Sequence, residues 1–106
     1  MTSELISRLE ENLKSMKEWE RKPVVEVGSI VIELIKLPAR QRKRSVEPEK
    51  LALHVRLRDS FRGIFIERFE ELDDLMRALA TKTVQDIARA LEELAKSRKP
   101  VIEHGI

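Results

Sequence analysis

Leu51-Ala-Leu-His-Val-Arg-Leu-Arg58 is the stretch on which the fold turns. Leu51, Leu53, Val55 and Leu57 alternate with Ala52, His54, Arg56 and Arg58, and an extended chain sorts such a period of two onto opposite faces. The spacing predicts a half-buried strand whose leucine and valine side chains enter the core and whose His-Arg face is wet. Upstream, Pro23-Val-Val-Glu-Val-Gly28 and Ile30-Val-Ile-Glu-Leu-Ile-Lys-Leu37 are rich in β-branched residues and joined by Gly28-Ser29, a short hairpin signal. Downstream, Asp59-Ser60 makes a turn, Gly63 follows, and a further strand runs to about Glu67.

The flanks have helical spacing. From Ser3 to about Arg21, the residues Leu5, Leu9, Leu13, Met16 and Trp19 recur every three or four positions, with Thr2 or Ser3 as cap and Pro23 as terminator. Leu72, Leu75, Met76 and Leu79 share one face of a short helix ending near Ala80. Thr83 is then expected to cap a last helix, with Asp86 completing a capping box. Phe69 is assigned to the core. The chain is therefore read as one α+β domain over 1–106: an N-terminal helix, a four-stranded mostly antiparallel sheet and two C-terminal helices. The helix over 84–98 reads either as an oligomerisation element or as a core-packed helix, stopped by Pro100, and 99–106 forms an apolar-tipped tail.

Composition narrows the function classes. The 106 residues are 42% hydrophobic and 38% charged, and the charged share exceeds the usual quarter. Only Asn12, Gln41 and Gln85 carry side-chain amides, and such a charge-rich, amide-poor composition is a thermophile trait. The lack of cysteine removes disulfides, thiolate nucleophiles and Cys-based zinc sites. No apolar run approaches the roughly 20 residues of a membrane span, and Glu4 stands where a signal peptide is basic. A cytoplasmic location is expected. His54 and His104 form no HExxH pair, no serine sits in a GxSxG elbow, and the three glycines are scattered. The adjacent acids Glu70-Glu71, Asp73-Asp74 and Glu92-Glu93 diverge around their helices. No enzyme, cofactor or metal site is expected.

The charge distribution is the informative feature. Residues 36–62 hold nine Lys/Arg against three Asp/Glu, between two mildly acidic ends. Arg40, Arg42, Lys43 and Arg44 lie in a connection bounded by Pro38 and Pro48; His54, Arg56 and Arg58 line the predicted wet face, and Arg62 follows the turn. Same-face residues of a strand are about 6.8 Å apart, close to the phosphate repeat of an extended single strand, and the arginine fork suits phosphate. Phe61, Phe65 and Trp19 are the rings on which bases can stack. The nucleic-acid-binding set is thus Arg40, Arg42, Lys43, Arg44, His54, Arg56, Arg58, Arg62, Phe61, Phe65 and Trp19.

Val84, Ile87, Leu91 and Leu94 form an a/d seam about two heptads long. With Val101 and Ile102 they make the expected interface of a homo-oligomer, a dimer or tetramer. The exposed side of that helix, with Asp86, Glu92 and Glu93, is too acidic for a major groove. The leading expectation is sequence-tolerant binding of single-stranded DNA, with RNA left open. The rivals are an assembly module whose basic loop docks an acidic partner, and a double-stranded DNA regulator.

The layout resembles the ThermoDBP-related family, single-stranded DNA-binding proteins of thermophilic archaea. The resemblance covers most of the chain. It rests on the leading helix running through Lys17-Glu-Trp-Glu-Arg-Lys-Pro-Val-Val-Glu-Val27, the antiparallel strands, the connection Arg40 to Arg44 and the heptad-spaced C-terminus. It implies an apolar cleft that takes bases, edged by basic side chains, in a protein that self-associates through its helical end.

Overall fold

The period-two stretches become strands. The computed structural model describes residues 3–98 and 105. The element order is α1 (Ser3–Ser15), β1 (Arg21–Val27), β2 (Ile30–Leu37), β3 (Arg40–Gln41), β4 (Val46–Glu47), β5 (Lys50–Leu57), β6 (Gly63–Ile66), α2 (Phe69–Leu79) and α3 (Lys82–Ser97). An antiparallel sheet runs β1-β2-β5-β6, and β3-β4 make a separate two-stranded ribbon within the basic connection. The fold is α+β, with a helix before the sheet and two after it.

Two helix boundaries differ from expectation. Helix α1 stops at Ser15 rather than near Arg21, because the chain beyond it is drawn onto β2: Trp19 N donates to Lys36 O (2.7 Å) and Lys36 N to Glu20 O (3.2 Å). Pro23 therefore lies inside β1, an edge strand where its missing N–H is tolerated, next to a register shift between Pro23 and Val25. The second correction concerns α3. Thr81, not Thr83, is its N-cap, accepting from Val84 N, while Asp86 pairs with Lys82 instead of closing a capping box.

The chain divides into two compact units, one through Phe69 and one from Glu70 onward. In the first, α1 lies on the sheet face that carries Lys22, Leu34, Lys36, Leu51 and Leu53. Met16 is buried there; Lys36 Nζ donates to Met16 O (2.9 Å) and Lys22 Nζ to Asn12 Oδ1 (2.8 Å). Ile66 shares this face and is buried, whereas Ile64 is exposed beside the exposed Val25, Ile30 and Leu57.

The opposite face holds the larger surprise. Val31, Glu33, Ile35, Ala52 and His54 are all buried on it. The His-Arg side of the Leu51–Arg58 stretch, predicted wet, is the more deeply buried of its two sides, and His54 is 1% exposed. The physical reason is the partner strand. Glu33 stands opposite His54 in the β2–β5 register and supplies the counter-charge that makes burial of polar groups sustainable.

Helices α2 and α3 contain no buried residue. Phe69, expected in the core, is 74% exposed. The stripe Val84, Ile87, Leu91 and Leu94 is exposed along its whole length. Val101 and Ile102, expected in the same interface, and the terminator Pro100 lie outside the described residues. Among the described residues no helix is long and apolar enough to cross a membrane.

Gly63 fixes how closely β6 approaches β5. A Cβ there would stand 2.0 Å from the backbone oxygen of Val55, so any side chain forces the strands apart. Gly63→Ala is expected to cost about 2 kcal/mol or more by overpacking, read as a lowered urea midpoint; an unchanged midpoint would show that β6 can shift freely.

Candidate nucleic-acid interface

A cleft of about 380 Å³ opens at one end of the first unit, lined by Trp19, Leu37, Pro38, Ala39, Arg40, Arg42, Glu47, Lys50, Phe65 and Glu67. Its walls come from three places. The approach to β1 supplies Trp19, the β3–β4 ribbon supplies Arg40, Arg42 and Glu47, and β5–β6 supply Lys50, Phe65 and Glu67. The size lies within the range of small-molecule sites.

Two rings face this space. Trp19 is 55% exposed and Phe65 45% exposed. Trp19 is also the one described non-glycine residue with positive φ, at 67°, a conformation that a bulky side chain rarely adopts. The hydrogen bond from its N–H to Lys36 O holds it there. Backbone strain of this kind persists only where surrounding structure enforces it, and it concentrates at ligand sites. Phe61, on the β5–β6 turn, is 81% exposed, with the Arg21 guanidinium carbon 5.8 Å from its ring centre.

The ribbon explains where the basic island goes. Arg42 N donates to Ser45 O (2.8 Å), which closes a tight turn with Lys43-Arg44 at its tip. Arg42 pairs with Glu47 (3.0 Å), and Lys50 is ion-paired to both Glu47 and Glu67. Hydrogen bonds from Lys50 and then Arg42 hold the Glu47 carboxyl below the usual range, and Glu47 and Glu67 push the Lys50 ammonium up. The side chains of Arg40, Lys43, Arg44 and Arg62 are exposed and make no ion pair with a described residue. Arg58 donates to Gly28 O (2.8 Å) and lies 3.5 Å from Glu26, half exposed.

His54 and Arg56 are elsewhere. Arg56 Nε and Nη2 donate to the two Glu33 oxygens (2.9 and 3.3 Å), and Nη1 reaches the carbonyls of Leu57, Arg58 and Ser60. Arg21 Nη1 donates to Glu33 Oε2 (3.2 Å), and His54 Nδ1 lies 2.9 Å from the same oxygen. These two residues are therefore structural members of a buried cluster and do not share one accessible row with the ribbon cations. Sequence reasoning missed Glu33, Arg21 and Lys50. A lone acid within the apolar run Ile30–Leu37 was the available signal for Glu33. Among the described residues no group of three or more His, Asp or Glu is placed to hold a metal ion.

No family model, curated protein or solved structure matches this chain.

Burial raises the Glu33 carboxyl, but hydrogen bonds from Arg56 and His54 and the charges of Arg56 and Arg21 outweigh it and leave it below the ordinary glutamate range. Its stabilisation is thus present above the ordinary glutamate pKa and lost as pH falls through the lowered folded value. Glu33→Ala strands buried cations and is expected to cost about 3–5 kcal/mol at pH 7, with a gap to wild type that narrows in strong acid. Urea titrations at both pH values check this, and a gap independent of pH would contradict it.

Proposed function

We propose that the protein binds single-stranded nucleic acid, single-stranded DNA in particular, without reading its sequence. The observation that carries this reading is the pairing of exposed Trp19 and Phe65 in one cleft beside a cationic ribbon. Bases stack on such rings whatever their identity, and a duplex hides its base faces, so the cleft favours single strands. Arg40, Lys43, Arg44 and Arg62 would neutralise phosphates, and Arg42 and Arg58 would contribute from within weaker pairs. The family resemblance implies the same activity. A cysteine-free chain suits a reducing, cytoplasmic setting. The role is that of a binding protein, not an enzyme.

Self-association belongs to the same proposal. The stripe Val84, Ile87, Leu91 and Leu94 is a continuous exposed apolar seam, and such a surface normally finds a partner. A second copy of the same seam is the partner that heptad spacing favours. Linking several clefts in one oligomer would raise avidity for a long strand.

Two measurements test these statements. Titrating fluorescent oligo-dT at several salt concentrations should give a log-log slope of about −3 if about four phosphates are neutralised. Trp19→Ala or Phe65→Ala should weaken binding by about 1–3 kcal/mol, roughly 5- to 150-fold. Affinity equal for duplex and single strand, or unmoved by both substitutions, rejects the cleft. Separately, Leu91→Glu should convert an oligomer to a monomer in sedimentation; a wild-type chain that sediments as a monomer rejects the seam.

A further inference from the structure

We propose that Glu33, although sealed from solvent, is the positioning residue for the two exposed rings Phe61 and Phe65, and that it sets their geometry through three separate partners. The inference rests on the proposed base-stacking role of Phe65, extends it to Phe61 on the neighbouring turn, and names what holds both rings.

The first route runs through His54. Its Nδ1 lies 2.9 Å from Glu33 Oε2, and its ring meets the Phe65 ring with centroids 4.9 Å apart and planes tilted by 36°. His54 is opposite Phe65 in the β5–β6 register and opposite Glu33 in β2–β5, so the three stand in a row across the sheet. An imidazole free to rotate would offer Phe65 no fixed floor. The carboxylate fixes it, as a carboxylate fixes ligating histidines elsewhere.

The second route runs through Arg21. One guanidinium nitrogen donates to Glu33 Oε2 (3.2 Å), another reaches the Phe61 carbonyl (3.5 Å), and the guanidinium carbon lies 5.8 Å from the centre of the Phe61 ring. A cation over a ring is a directional attraction. The third runs through Arg56, which is anchored on both Glu33 oxygens and holds the carbonyls of Leu57, Arg58 and Ser60, the turn that leads into Phe61.

Stability alone is a poor account of this arrangement, since buried ion clusters can often be exchanged for apolar residues at no loss. What an apolar replacement cannot do is orient three polar partners, each of which ends at an exposed ring or its turn. Phe61 is 81% exposed and gains little restraint from packing, and a ring ordered before binding loses less entropy when a base stacks on it.

The test has a ligand-free arm and a ligand arm. In wild type, proton NMR should show ring-current-shifted Arg21 side-chain and His54 ring signals. Glu33→Gln should move both towards unshifted positions while amide dispersion is kept. Arg21→Met, at a partly exposed edge position, should release Phe61 and leave the His54–Phe65 contact in place, and Arg21→Lys should keep part of the Phe61 contact. With oligo-dT, Glu33→Gln should weaken binding about 10-fold, and Arg21→Met should have little further effect once Phe61 is already Ala, as coupled residues behave. A folded Glu33→Gln variant with both sets of shifts intact overturns the proposal. If that variant does not fold, Arg21→Met decides: an undisturbed Phe61 ring overturns it and a released one supports it. A wild-type protein that binds no oligonucleotide overturns the proposed function, and the ligand-free arm still decides what Glu33 positions.

Discussion

One buried carboxylate organises the first unit. Glu33 lies on a buried face beside Val31, Ile35 and Ala52, and a lone ionised acid there would be prohibitively expensive to desolvate. Arg21 from β1, and His54 and Arg56 from β5, answer it. The cluster joins three neighbouring strands by side chains as well as by backbone. It also explains why polar residues occupy the more buried side of β5 while Ile64 and Leu57 remain exposed on the other.

The cations of the basic island thus fall into two populations with different work. Arg56 is consumed by the interior, and Lys50 is clasped between Glu47 and Glu67 at the cleft wall. Arg40, Lys43, Arg44 and Arg62 are exposed and form no ion pair with a described residue, although Arg40 stands opposite Glu47 in the ribbon. A field built from few free charges near a cleft with two open rings suits a ligand that is anionic along its length and flat along its side. The ion pairs Arg42–Glu47, Lys50–Glu47 and Lys50–Glu67 leave the net charge of the cleft lining small.

The sequence disclosed the four strands of the main sheet, their hairpin and both C-terminal helices, because each is written in local period and turn chemistry. It misled about β5, since alternation tells that two faces exist and not which one is covered. Deciding that needs the β2–β5 register, and those strands are separated by a connection whose β3–β4 ribbon has no local hydrophobic signature. Trp19 illustrates the same limit: helical spacing included it in α1, but a long-range bond to Lys36 takes it out and turns it towards the cleft. Phe69 was assigned inward by residue type alone, and its position at the start of α2 leaves it in solvent.

The borders of the sheet have a consequence of their own. Strand β1 carries a proline and a register shift, and β6 is only four residues long. Neither offers a straight run of unpaired amides and carbonyls against which another chain could align. Copies of this protein are steered away from joining strand to strand, a mode that propagates without limit into fibres. Whenever such a sheet opens transiently, blunt borders of this kind guard against irreversible precipitation.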